Sequence, residues 1–189
     1  MTAAPIFSSS IALPLACERL LSPPSSEARR SAAWANDGVL GFLLHEIDAE
    51  ASQRPTDEHL AETLAPLRNK LDLVIEMVAR LSYRNVQLPP VQPIELGLSR
   101  VGWVSPEPIA PGEPLRLSLY FHHTYLEPLV LYGTAASCVA ADTAYQVQAE
   151  LDELPEQTGE AFARLAFLAQ RRHLASRAGA GAGAAGARR

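Results

Sequence analysis

Hydrophobic positions along this chain change their period as it runs, and the changes divide it. Between 27 and 52, Val39, Leu40, Leu43, Leu44 and Ile47 recur at helical spacing, which predicts an amphipathic helix. Asn36-Asp37-Gly38 stands within it as a candidate break. Between 53 and 88 the pattern becomes a heptad: Leu60, Leu64, Leu67, Leu71, Val74, Val78 and Leu81 are spaced 4, 3, 4, 3, 4, 3, the seam of a coiled coil. Pro89-Pro90 closes it, because a proline drives the preceding residue out of the helical region. From 91 onward the period drops towards two. Ile94 to Leu96 and Val101 to Val104 read as strands joined at Gly97 to Arg100, and Pro106 to Pro114 is a proline-rich turn. Leu115, Leu117, Leu119 and Phe121 alternate with Arg116, Ser118 and Tyr120, the pattern of a half-buried antiparallel strand. Leu129 to Ala140 and Ala144 to Leu151 form a further pair about Ala141-Asp142-Thr143. A last helix starts near Pro155 or Thr158 and ends near Arg177, with Phe162, Leu165, Phe167 and Leu168 placed to cover an open end of the sheet.

The chain therefore reads as α+β. An N-terminal segment (1–52) holds a short strand at Ile11 to Leu15, a turn-rich linker and the first helix. A heptad oligomerisation helix (53–88), a β-rich unit with its closing helix (89–177) and an Ala/Gly tail (178–189) follow. The tail is too featureless to pack and is expected to be disordered.

In the heptad, Leu64, Leu71 and Val78 take position a; Leu60, Leu67, Val74 and Leu81 take position d. Leucine at a with a β-branched residue at d leans away from two strands. Ile75 at e and Met77 at g widen the apolar face, and Leu73 leaves little of 71–81 to face water. A homotetramer is the expected state. The competing reading is a helix packed on its own sheet, which a face this wide also permits. Pro66 is expected to clash with the carbonyl of Glu62 and kink the helix, so that the seam begins there.

Composition narrows the function. Apolar residues make up 48% and charged residues 20% of the 189, an ordinary globular balance. The net charge of −5 argues against a nucleic-acid surface, which leaves a basic footprint. Cys17 and Cys138 lie far apart without CxxC spacing, so neither a disulfide framework nor a zinc site is expected. No apolar run approaches a membrane span of about 20 residues. No basic residue precedes Leu13-Pro14-Leu15-Ala16-Cys17, and Ser8 to Ser10 and Pro14 interrupt it, so it is not read as an export signal. A cytoplasmic location is expected.

Catalytic chemistry finds no foothold. His122 and His123 are adjacent at a strand end with Glu127 nearby, but neighbouring residues on a strand point to opposite faces. A solvated loop is the expected role. His45-Glu46 meets Ala49 where a zinc helix needs a second histidine. The sequence has no Gly-x-Ser-x-Gly elbow and no phosphate-binding loop. Neither an enzyme nor a resident metal or cofactor is expected.

Several residues from Val91 onward resemble a PilZ domain, the bacterial module best known as a receptor for cyclic di-GMP. Ser99-Arg100-Val101-Gly102 matches the Ser-x-x-Gly part of that family's (Asp/Asn)-x-Ser-x-x-Gly turn. Trp103-Val104, Pro111-Gly112-Glu113 and the strand Leu115 to Phe121 follow in the family's order, and Phe162 to Arg172 resembles its closing helix. A preceding heptad helix, around Leu67 to Leu73, resembles an atypical tetrameric subgroup. The resemblance implies a six-stranded antiparallel barrel with a C-terminal helix and a role in motility or virulence signalling. It also allows a test of the ligand chemistry. Ordinary members grip the phosphates and guanine edges with an Arg-x-x-x-Arg loop, because guanidinium pairs bidentately and stacks. Their turn begins with a guanine-bonding acid or amide. Here that first position is Gly97. Arg80-Leu81-Ser82-Tyr83-Arg84 spells the arginine pattern but falls on the heptad helix, with Leu81 at d. The expectation is a non-catalytic adaptor that works through protein partners and binds cyclic di-GMP weakly or not at all. The alternative is a receptor using Arg80, Arg84, Ser99, Arg100 and Gly102.

Overall fold

The computed structural model describes residues 10–51, 58–82, 87–122 and 125–186. Its elements run β1 (Ile11–Arg19), α1 (Ser26–Ala51), α2 (Glu58–Ser82), β2 (Val91–Leu96), β3 (Arg100–Ser105), β4 (Pro114–Leu119), β5 (Leu129–Ala141), β6 (Ala144–Leu151) and α3 (Glu156–Gly186). The six strands close into an antiparallel barrel in the order β1-β2-β3-β6-β5-β4.

Closure depends on the first strand. Residues Ile11 to Pro14 pair with β2, and Leu15 to Arg19 pair with β4. β1 thus changes partner at Pro14, whose ring removes a ladder donor, while its carbonyl accepts from the Tyr120 N–H at 3.1 Å. The β-unit of residues 89–177 is therefore not the whole barrel: its sixth strand is supplied from before the long helices. The strand is also nine residues long, not the short Ile11 to Leu15 segment expected. Alternation across β4 follows the pattern read from sequence, with Leu115, Leu117 and Leu119 fully buried. Ser118 departs from it and is buried as well, because it pairs with Val130, whose backbone is covered by α1.

α1 and α3 cover the barrel. Val39, Leu40 and Leu43 from α1 join Phe162, Leu165 and Ala166 from α3 in one core with Trp103, Leu117 and Leu131 of the strands. Burying each large apolar side chain contributes roughly 1.5–3 kcal/mol. The two helices are also tied together: Thr158 donates to Asp37 at 2.7 Å, and Arg164 reaches both carboxylate oxygens of Asp48 at 2.7 and 3.0 Å. Asn36-Asp37-Gly38 does not break α1. Its side chains are consumed by tertiary bonds, Asn36 to β5 and Asp37 to α3, so they do not compete for the helix backbone. Phe167 does not join the covering set. It is exposed, with the Arg171 guanidinium 5.9 Å from its ring centre, because residues 162, 165 and 166 define a buried face from which 167 is rotated. α3 continues to Gly186 beyond Arg177, through a run rich in alanine, the strongest helix former.

Candidate functional site

The heptad positions lie on α2 as one helix, and Pro66 sits inside it without ending it. Leu67, Leu71 and Val78 are 56%, 54% and 54% exposed, and Leu64, Leu73, Val74, Ile75, Met77 and Leu81 are exposed likewise. The competing reading, a helix packed on its own sheet, is thereby excluded for these side chains. Leu60 lies on the helix, with its side chain outside the described residues. A helix this apolar and this uncovered exceeds the scattered single hydrophobes of an ordinary surface.

The turn from Gly97 to Arg100 joins β2 to β3. Gly97 N–H donates to the Arg100 carbonyl at 2.8 Å, and Leu151 N–H donates to the Ser99 carbonyl at 2.8 Å. Ser99 and Arg100 are exposed side by side, whereas Gly102 is buried in β3 opposite Glu95 and Gln148. A Cβ on Gly97 would lie 3.2 Å from the Arg100 carbonyl oxygen, so the tight turn itself favours glycine there. Arg84 lies outside the described residues, and Arg80 is described only as part of the α2 backbone. Of the sequence-derived ligand residues, the fold thus brings Ser99 and Arg100 together and buries Gly102 behind them.

A cleft of about 430 Å³ opens beside this turn, between Leu98 and Ser99 on one side and Ala163 of α3 on the other. Phe162 and Leu154 contribute apolar lining; Asp152 and Glu153 are the charged lining residues. Asp152 is paired to Arg29 at 2.9 Å. The sequence pattern placed these acids in a loop before the last helix, and only barrel closure sets them against the turn. α3 is held over this end of the barrel by Gln170, which donates to the Leu96 carbonyl at 2.8 Å.

Other chemistry is structural. His122 is half-buried with its ring edge-on to Phe42 at 5.3 Å, and Phe42 stacks on Tyr125 at 4.5 Å. This is packing under α1, not the solvated loop expected; His123 lies outside the described residues. Among the described residues no group of three or more His, Cys, Asp or Glu side chains could hold a metal ion. Burial pushes the Cys17 thiol up to about 11, with Arg19 partly opposing and Glu113 adding to the shift. No helix among the described residues is long and apolar enough to cross a membrane.

No protein-family model matches the sequence, and none of the curated proteins matches it either. Among solved structures, a pathogenic protein from Xanthomonas campestris, a tetrameric PilZ domain self-assembled via a helical bundle, superposes with a TM-score of 0.70. The superposition spans 88% of this chain and 89% of that one at 19% identity. This chain has a PilZ-like fold. The fold extends through both flanks of the long helices, since β1 is part of the PilZ-like barrel. Within that barrel the β2–β3 turn keeps Ser99 and Gly102 but places Gly97 first, and the neighbouring lining is acidic.

Proposed function

We propose that this chain is a non-catalytic bacterial signalling adaptor, cytoplasmic, that self-associates through α2 as a homotetramer and acts through protein partners. The carrying observation is the uncovered apolar face of α2. Nothing within the described chain packs on it, and its a/d register suits more than two helices. The tetrameric assembly of the Xanthomonas protein through a helical bundle supports the same arrangement here. Four linked copies of one weak contact surface gain avidity for a multivalent partner. Cyclic di-GMP binding is weak or absent in this reading. Gly97 supplies no guanine-bonding side chain, and the Arg80/Arg84 pair falls on the heptad pattern, with Leu81 at d.

Light scattering on the purified chain tests the assembly. The expected mass is four times the 20.4 kDa protomer, falling to that of the protomer when Leu71→Asp and Val78→Asp are combined. A wild-type chain that runs as a monomer at micromolar concentration refutes the reading. Calorimetric titration with cyclic di-GMP tests the ligand. Saturable micromolar binding would instead favour the receptor reading and turn attention to Arg80 and Arg84.

A further inference from the structure

We propose that a second cleft, between α1, α3 and the start of β1, is the seat of this chain's own N-terminal segment, with Phe7 as the inserted side chain. The proposal goes beyond the adaptor reading and does not depend on it. The cleft holds about 240 Å³. Its walls are Ile11 and Leu13 of β1, Leu43 and Ile47 of α1, Phe121 after β4 and Leu165 of α3. Only Glu46 and His122 bring ionisable side chains to the lining, and His122 is turned edge-on to Phe42. A space of this size would take roughly eight waters at about 30 Å³ each, and an enclosed water needs about two to four polar partners. Walls this apolar supply few, and they suit an apolar side chain better than water.

Chain connectivity selects the occupant. Residues 1–9 lie outside the described residues and end one residue short of Ile11, itself part of the wall. A straight continuation of β1 in the Ile11↔Ile94 register would bring Ser9 opposite Leu96. The Leu96 carbonyl, however, is bonded by the Gln170 side chain at 2.8 Å. Gln170 follows Ala169, which lines the cleft, so the ladder is closed off at the cleft's rim. Phe7 stands four residues before Ile11, at most about 14 Å along the chain, and its ring can fold back into a cleft that starts at Ile11. Ile6-Phe7 supplies large apolar side chains, and Ser8-Ser9-Ser10 supplies turn-forming residues behind them. Residues 1–9 carry no charged side chain to desolvate. The other stretches outside the described residues lack this combination. His123-Thr124 adjoins the lining at His122 but is polar; 52–57, 83–86 and 187–189 adjoin no lining residue, and each carries arginine. Seated in the cleft, Phe7 packs against both covering helices and β1 at once.

Photo-crosslinking of the full-length chain tests the seat. With p-benzoylphenylalanine in place of Phe7, irradiation should label tryptic peptides that carry Leu43 to Ile47 or Leu165 to Ala169, read by mass spectrometry. Ala169→Phe fills the cleft from α3 and should reduce this labelling about fivefold, the effect of roughly 1 kcal/mol. Glu46→Trp, at an exposed position of the lining, obstructs the cleft without touching the core and should do the same. Val139→Phe, on an exposed part of β5, should leave the labelling unchanged. Labelling confined to other peptides, or indifferent to both cleft variants, overturns the seat. A crosslinked dimer on a denaturing gel assigns the segment to a second copy and overturns it as well. Retention of a small apolar molecule by the purified chain, read by native mass spectrometry, does so too. Light scattering in the same samples reads assembly. A monomeric chain with the expected labelling refutes the adaptor reading and supports the seat, whereas an intact oligomer without it refutes only the seat.

Discussion

Asn36 joins the helical layer to the barrel, and its removal has a calculable consequence. Pairing of β5 with β6 begins at Gly133, opposite Leu151 where β6 ends. The residues of β5 before that point have no strand beside that edge. Asp152 N–H serves the Tyr132 carbonyl at 2.9 Å. Asn36 serves Val130: its Nδ2 donates to the carbonyl at 2.7 Å and its Oδ1 accepts from the N–H at 2.8 Å. The amide thus stands in for a missing strand residue. It is 1% exposed, so both bonds are shielded from water in the folded chain. Asn36→Ala orphans a buried donor and a buried acceptor at about 1–3 kcal/mol each, or about 4 kcal/mol in all. That is a large share of the 5–15 kcal/mol (roughly) that holds a domain folded. For a chain of this size it corresponds to a melting point lower by roughly 8–16 °C. Asn36→Asp keeps the acceptor but turns a carboxylate towards the Val130 carbonyl. Burial raises the folded-state pKa of that carboxyl above its unfolded value. The variant should therefore be most stable below the unfolded pKa of about 3.9, where the protonated acid donates, and lose stability as pH rises through the folded pKa. Urea unfolding followed by the fluorescence of buried Trp103 is the assay, in a Trp34→Phe background because Trp34 is exposed. Protein concentration must be fixed, since self-association adds a mass-action term. A loss below about 0.5 kcal/mol for Asn36→Ala would refute the argument, because surface substitutions alone reach that size.

Gly133→Ala should prevent or severely weaken barrel closure, because its Cβ would lie 2.3 Å from the Glu150 carbonyl oxygen and 3.1 Å from Leu151 Cα, both backbone. Gly41→Ala meets nothing within 4 Å and should stabilise by about 0.5–1 kcal/mol through helix propensity; urea midpoints compare the two. Cys17, raised from 9.0 to about 11, should react with a disulfide reagent at pH 8 about 100-fold more slowly than a free thiol, measured in a Cys138→Ser background. Its folded-state pKa lies above the unfolded one, so its contribution to stability is intact below pH 9.0 and declines as pH rises towards about 11. A pH-independent urea midpoint across that window would refute the burial. Gly97→Asn returns an amide to the turn but should not create saturable cyclic di-GMP binding by calorimetry, since one added amide does not supply the paired guanidinium groups that grip the phosphates.

What the chain's own pattern determined was local. Period-two alternation marked β4, and proline and glycine punctuation marked the turns, because these depend on side-chain direction along one element. The a/d spacing likewise marked the face of α2 that the fold leaves uncovered. The Gly97 turn was legible as a motif, although its structural cause, the approach of the Arg100 carbonyl, was not. Tertiary structure decided what required distant parts to meet. β1 became a barrel strand because β2 and β4 each left an edge for it on either side of Pro14. Asn36 looked like a helix breaker and became a cross-link, since its partner lies 94 residues away. Phe167 read as core and faces water, because the rotation of α3 is set by Phe162 and Leu165 against the barrel. The acidic cleft arises only where the end of β6, the β2–β3 turn and α3 converge. Sequence periodicity reports which face of an element is apolar; only the packed fold reports what that face meets.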